Sequence, residues 1–174
     1  GDGDRVGLID NKGNIIFPDT YMMLLAEDLL RKNSKGTIVF DVKCSTNLMK
    51  VIKNLNGTPI MSRTGHSYIK SKIIETNALL GGEMSGHIFF NDDWYGFDDA
   101  IYSALRMIEV LSKTKLTSYE VFSSYPKHFS TPEINLKVPE EDKFKIIDEL
   151  KTLINPSGYV LIDIDGIRLE NKNS

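Results

Sequence analysis

Three short stretches of this chain carry side chains whose types and spacing can do chemistry. The first is the start itself, Gly1-Asp2-Gly3-Asp4-Arg5. Two carboxylates on alternate positions suit a hard cation such as Mg²⁺, whose ligands are oxygens, and the glycines let the backbone fold tightly around it. An EF-hand calcium loop is rejected, because the glutamate it needs at its last position would fall on Gly13. A chain end frays unless it is tied down, so a metal loop at this place points to a piece of a longer protein. The second stretch is Gly82 to His87, where Glu83, Ser85 and His87 alternate and face one way if the segment is extended. A carboxylate, a hydroxyl and an imidazole on one face suit a polyhydroxylated ligand; the same residues would also serve as a polar turn between two buried strands. The third is Thr64-Gly65-His66-Ser67 at the start of a helix, where unpaired N–H groups and the helix dipole favour an anion. The plainer alternative is that Thr64 or Ser67 caps the helix and His66 is only exposed. Lys43 follows a strand that ends at Asp41-Val42. In open α/β sheets ligands gather beyond the carboxyl ends of strands, and a lysine there can hold a phosphate or move a proton.

The elements that must position these residues alternate between strand and helix. Val6 to Asp10 and Ile15 to Phe17 read as strand-like pieces around the turn Asn11-Lys12-Gly13-Asn14. Pro18-Asp19 opens a helix in which Met22, Leu25, Ala26 and Leu29 recur at helical spacing, ended by Ser34-Lys35-Gly36. Strands are expected at 37–40 and 58–61 and helices at 46–56 and 66–77. Leu79-Leu80 and Ile88 to Phe90 bracket the Gly82–His87 loop. A helix runs from Asp98 to Leu111, capped by Asp98 or Asp99. This pattern predicts an α/β domain with a mixed, largely parallel sheet flanked by helices.

The pattern changes near Tyr125-Pro126. Ser130-Thr131-Pro132 reads as a linker, Ile134 to Val138 alternates like a strand, and Pro139 starts a helix broken at Asn155-Pro156-Ser157-Gly158. Tyr159 to Ile164 and Ile167 to Leu169 flank Asp165-Gly166, a hairpin signal that also explains Asp163 and Asp165 better than a calcium loop does. So small a β-α-β-β segment is marginal alone. It reads as an incomplete α+β domain whose unpaired edges near 159–169 would invite another chain.

Taken together, Gly1 to Arg5, Phe40 to Ser45, Thr64 to Ser67, Gly82 to Phe90, Trp94 to Asp99 and Ser130 to Glu133 resemble the α-D-phosphohexomutase family, in the family's order along essentially the whole chain. The wording Glu83-Met84-Ser85 is similar to the bacterial branch acting on mannose and glucose phosphates; the glucosamine branch is the nearer rival, with Met84 the residue to watch. The resemblance implies a multidomain, Mg²⁺-dependent isomerase in which a phosphoserine exchanges its phosphoryl group with a hexose phosphate through a bisphosphate intermediate. It implies Asp2 and Asp4 as metal ligands, Arg5, Lys43 and His66 close to the reacting groups, Glu83 and Ser85 on the sugar hydroxyls, His87 as support for their loop, and Thr64 and Gly65 as substrate contacts. It divides the chain into residues 1–14, the end of a second domain; 15–125, the sugar-binding third domain; and 126–174, an incomplete fourth. The family's Ser-His-Asn-Pro loop is nowhere in the chain, so inactivity alone and dependence on the missing N-terminal domains are expected.

Composition narrows the alternatives. Hydrophobic content of 41% and charged content of 26% are ordinary for a globular protein. A net charge of −3 with both signs interspersed leaves no footprint for nucleic acid or an anionic membrane surface. No apolar run approaches the length needed to span a bilayer. One cysteine, Cys44, cannot form an internal disulfide, which fits the cytoplasm. A non-catalytic sugar-phosphate-binding module is the reading from a different class.

Overall fold

In the computed structural model, which describes residues 1–127, 131, 133–154 and 157–172, the chain forms two compact units, Gly1–His128 and Phe129–Ser174. The first is built on four strands, β3 (Thr37–Asp41), β4 (Thr58–Ser62), β5 (Leu80–Gly82) and β6 (Ile88–Phe90), preceded by a small antiparallel hairpin of β1 (Leu8–Ile9) and β2 (Ile15–Ile16). The sheet order is β4-β3-β5-β6. β3 runs parallel to both β4 and β5, and β6 returns antiparallel to β5. The sheet is thus mixed and largely parallel, as expected from the alternation of elements.

The sequence of β3 explains its central place. Ile38, Val39 and Phe40 are all buried, so both faces are covered. Ile38 and Phe40 point into the larger core with α1 (Pro18–Lys32) and α2 (Thr46–Asn54), while Val39 joins Ile69, Ile73, Ala78 and Phe89 under α3 (His66–Thr76). α1 begins with Pro18 at a position that needs no backbone donor and buries Met22, Leu25, Ala26 and Leu29 at the spacing read in the sequence. Gly82 lets this helix approach: a Cβ there would lie 2.4 Å from Met22 Sδ. Asp19, buried in the first turn of α1, accepts the Ser45 amide at 3.1 Å and so fixes the start of α2.

α4 (Ala100–Ser112) is capped by Asp99, whose side chain accepts the Tyr102 amide at 2.9 Å. It is followed by a short helix, α5 (Ser118–Ser123), with a reciprocal capping box between Thr117 and Glu120. The hairpin is tied to α5: the Asn11 carboxamide accepts from the Tyr119 amide and the Ser118 hydroxyl, and Lys12 lies 3.4 Å above the Tyr119 ring.

The second unit holds a turn of 3₁₀ helix (Glu140–Asp142), α6 (Lys143–Leu153) and an antiparallel hairpin of β7 (Tyr159–Ile162) and β8 (Arg168–Asn171). Two expectations are corrected here. Among the described residues, 134–138 form no ladder, and Ile134 and Leu136 are exposed; alternation assigns a face to each residue but supplies no partner strand. The hairpin pairs Leu161 with Leu169 and Ile162 with Arg168, a register centred on Asp165, not a two-residue turn at Asp165-Gly166. Of the linker expected at 130–132 and the helix break expected at 155–158, residues 130, 132, 155 and 156 lie outside the described residues; α6 ends at Leu153, and Ser157 and Gly158 form a turn.

Candidate functional site

The site gathers at the carboxyl ends of β3 and β5, where the chain leaves the sheet. β5 delivers Glu83, and the tight loop to β6 carries Met84 to His87. Glu83 and His87 are almost fully buried, whereas Ser85 is exposed. The Glu83 carboxylate joins two motifs. Oε1 accepts the Gly65 amide, and Oε2 lies 2.8 Å from His87 Nδ1. With the carboxylate as acceptor, Nδ1 carries the imidazole proton. A carboxylate offers about four lone-pair positions, so Glu83 retains acceptor capacity.

The start of the chain crosses this loop. The Val6 amide donates to the Gly86 carbonyl at 3.1 Å, and Arg5 bridges His87. Gly86 is needed for the crossing: its φ is +95°, and a Cβ would sit 2.9 Å from the Val6 carbonyl oxygen. The approach brings Arg5 Nε to 3.0 Å and Asp4 Oδ2 to 3.1 Å from His87 Nε2. These cannot both be hydrogen bonds at once. Neutral His87 accepts from Arg5; protonated His87 donates to Asp4.

Asp2 and Asp4 flank Gly3, whose φ of +79° turns the loop. Partial desolvation pushes the Asp4 carboxyl up, but Asp2 and His87 outweigh it and hold Asp4 below the usual carboxylate range. One ligand atom each from Asp4, His87 and Asp98 lie within 4.8 Å of one another. This group offers two carboxylate oxygens and one imidazole nitrogen, and Asp2, expected from the sequence as a metal ligand with Asp4, is not part of it. Asp98, expected as a helix cap alongside Asp99, instead faces this cluster and pairs with Lys70 at 3.2 Å.

α3 starts at the same place. Its N-cap is Gly65, not Thr64 or Ser67, and no side chain caps it. The plainer reading of that motif therefore fails as to the cap. His66, exposed, presents its ring edge-on to His87 with centroids 6.0 Å apart. One turn on, Lys70 meets Asp98. Lys43 is exposed just beyond β3, and its charge offsets part of the rise that burial imposes on the neighbouring Asp41 carboxyl. The sequence reading missed Lys70 and Asp98; the His66/Lys70 spacing of four on one helix face was the available signal.

The profile of the phosphoglucomutase/phosphomannomutase α/β/α domain III matches residues 17–129. This chain belongs to the phosphoglucomutase/phosphomannomutase family. It is 49% identical over 173 residues to a Pseudomonas putida protein named phosphomannomutase/phosphoglucomutase, covering 99% of this chain and 37% of that protein. It is 45% identical over 172 residues to a Neisseria meningitidis phosphoglucomutase, covering 98% of this chain and again 37% of the relative. The crystal structure of a family protein from Burkholderia thailandensis superposes with a TM-score of 0.91 at 42% identity, over 99% of this chain and 36% of that one. The chain thus spans little more than a third of the length of these relatives.

Proposed function

We propose that this chain is part of a phosphohexomutase, an isomerase that interconverts hexose 1-phosphate and 6-phosphate, with mannose and glucose phosphates as substrates, through a phosphoserine and a bisphosphate intermediate. The observation that carries the reading is the contact chain Asp4–His87–Glu83–Gly65, which draws the metal loop, the sugar loop and the start of α3 to one place. Its residues come from sequence positions as far as 83 apart, so a turn between two strands does not account for it.

Each residue has a role on this reading. Exposed Ser85 and the remaining acceptor positions of Glu83 meet the sugar hydroxyls. Gly65, its amide held by Glu83, and Thr64 shape the floor beside the uncapped first turn of α3, where the phosphate approaches, with His66 and Lys43 beside it. Arg5, which donates to His87 Nε2, helps to position the reacting groups, and His87, held by Glu83, supports the sugar loop. Asp2 and Asp4 would hold Mg²⁺, which when bound would neutralise charge on the transferring phosphoryl group. Residues 1–14 then end one domain, 15–125 bind sugar, and 126–174 begin the next. The partners are the hexose phosphate, the rest of a longer cytoplasmic protein, and in isolation a second copy along the β7–β8 edges.

The test is turnover of glucose 1-phosphate and mannose 1-phosphate with Mg²⁺ and a hexose bisphosphate activator. The full-length protein should interconvert them, and the 174-residue chain should not. In the full-length protein Ser85→Ala should raise KM about 10-fold, the worth of one lost substrate hydrogen bond. If glucosamine 1-phosphate is the better substrate, the sugar assignment is overturned. If the full-length protein binds hexose phosphates without turnover, the chain is a binding module.

A further inference from the structure

Asp41 closes the central strand β3 directly beneath the sugar loop, and it is fully buried. Its Oδ1 accepts the Met84 amide at 3.3 Å and the Cys44 thiol at 3.1 Å. Its Oδ2 is buried and has no hydrogen-bond partner among the described residues. An acid in such a place is costly to bury, and an apolar side chain would fill β3 as its neighbours Val39 and Phe40 do. What an apolar residue cannot do is accept the Met84 amide. Met84 lies between Glu83, which holds Gly65 and His87, and exposed Ser85. Among the described contacts, Oδ1 is the one hydrogen-bond partner that the sheet gives that amide.

We propose that Asp41 is a positioning residue for sugar recognition: from inside the sheet it fixes the Met84 backbone, and thereby the direction in which Glu83 and Ser85 face the ligand. The surroundings agree with this role. Burial first, and the nearby Glu83 carboxylate second among the effects that oppose ionisation, push the Asp41 carboxyl up, past what Cys44, Met84 and Lys43 take back. An accepting oxygen at this place anchors the loop whether or not the carboxyl is charged. An asparagine shares the accepting oxygen, so it should keep the Met84 contact, at the cost of a buried carboxamide N–H with no acceptor among the described residues.

The inference rests on the proposed sugar-phosphate activity only for its kinetic arm. The first measurement is hydrogen exchange at the Met84 amide in the 174-residue chain. Asp41→Val should speed exchange there by about 10-fold or more while Val39 and Gly81, inside the ladder, stay protected. Asp41→Asn should leave Met84 protected. Should Asp41→Val fail to fold, Asp41→Ser, polar but too short to reach the amide, takes its place. In the full-length protein Asp41→Val should raise KM for hexose 1-phosphate about 10-fold with kcat within about 2-fold, and Asp41→Asn should restore KM. Unchanged Met84 exchange in Asp41→Val, or an asparagine variant as damaged as the valine one, overturns the proposal. A wild-type full-length protein with no turnover would overturn the activity reading and leave the exchange result to decide on Asp41.

Discussion

The two units use similar sequence patterns and reach different ends. α1 carries apolar residues at helical spacing and buries eight of its fifteen residues. α6 carries Phe144, Ile147, Leu150 and Leu153 at comparable spacing, yet none of its residues is buried. Phe144 is 80% exposed and Leu153 77%. The first unit offers α1 a four-stranded sheet whose faces are themselves apolar. Among the described residues the second offers α6 a single two-stranded hairpin, and isolated hairpins of that size are marginal. Periodicity therefore creates a face, while burial depends on a second face of matching size.

The comparison can be broken most directly in the cores. Phe40→Ala should cost the first unit about 3–5 kcal/mol, the usual penalty for emptying an aromatic site, whereas Phe144→Ala in α6 should change stability by no more than about 0.5 kcal/mol. Urea unfolding of the 174-residue chain followed by separate probes for each unit checks both. Equal costs would mean that α6 is as well packed as α1. Next in size is Gly86→Ala, which must adopt a left-handed backbone and push on the Val6 carbonyl; a loss of about 2 kcal/mol is expected from that backbone alone. It should appear in the first unit's transition and not in the second's. Thr117→Ala removes a capping box from a short helix and should cost about 1 kcal/mol, again only in the first unit.

The smallest effects are in the pH dependence of the first unit. Burial pushes the Asp28 carboxyl up, but Lys113 and Lys32 prevail and hold it below its ordinary range. A lowered folded-state pKa contributes stability that is present above the unfolded value of about 3.9 and is lost as pH falls through the folded one. Asp41 has the opposite sign. Its raised pKa means that the folded chain keeps a proton the unfolded chain has released, so stability declines as pH rises from about 3.9 toward the folded value. Asp28→Asn should flatten the acid limb of a stability–pH curve, and Asp41→Asn should flatten the decline above it. Matching shapes for both variants would contradict these signs.

Much of the first unit was legible in the sequence because its strands and helices follow one another with clear breaks. The sheet order β4-β3-β5-β6 was not, since hydrophobic pattern identifies a strand's faces and not its neighbours. α5 was missed although Thr117 and Glu120 stand at capping-box spacing; a helix of six residues has too few turns for periodicity to register. The acidic pair Asp98-Asp99 was read as one feature, and the structure splits it: Asp99 caps α4 and Asp98 turns to Lys70 and to Asp4 and His87. No local signal separates two adjacent aspartates, because only the fold decides which one faces inward. Each motif of the site was visible on its own. The joining of Glu83 to Gly65 and of His87 to Asp4 was not, being a product of chain crossing.

That crossing has a mechanical consequence. The Val6–Gly86 hydrogen bond and the Arg5–His87 contact rivet the first residues of the chain to the floor of the loop. Two segments far apart in sequence are thereby coupled like the arms of a single lever. A force applied at residues 1–5 is delivered to the imidazole of His87 with little slack, and a tug on the loop is felt at Asp4. On the proposed function, cation capture at one end and sugar capture at the other would act on the same part.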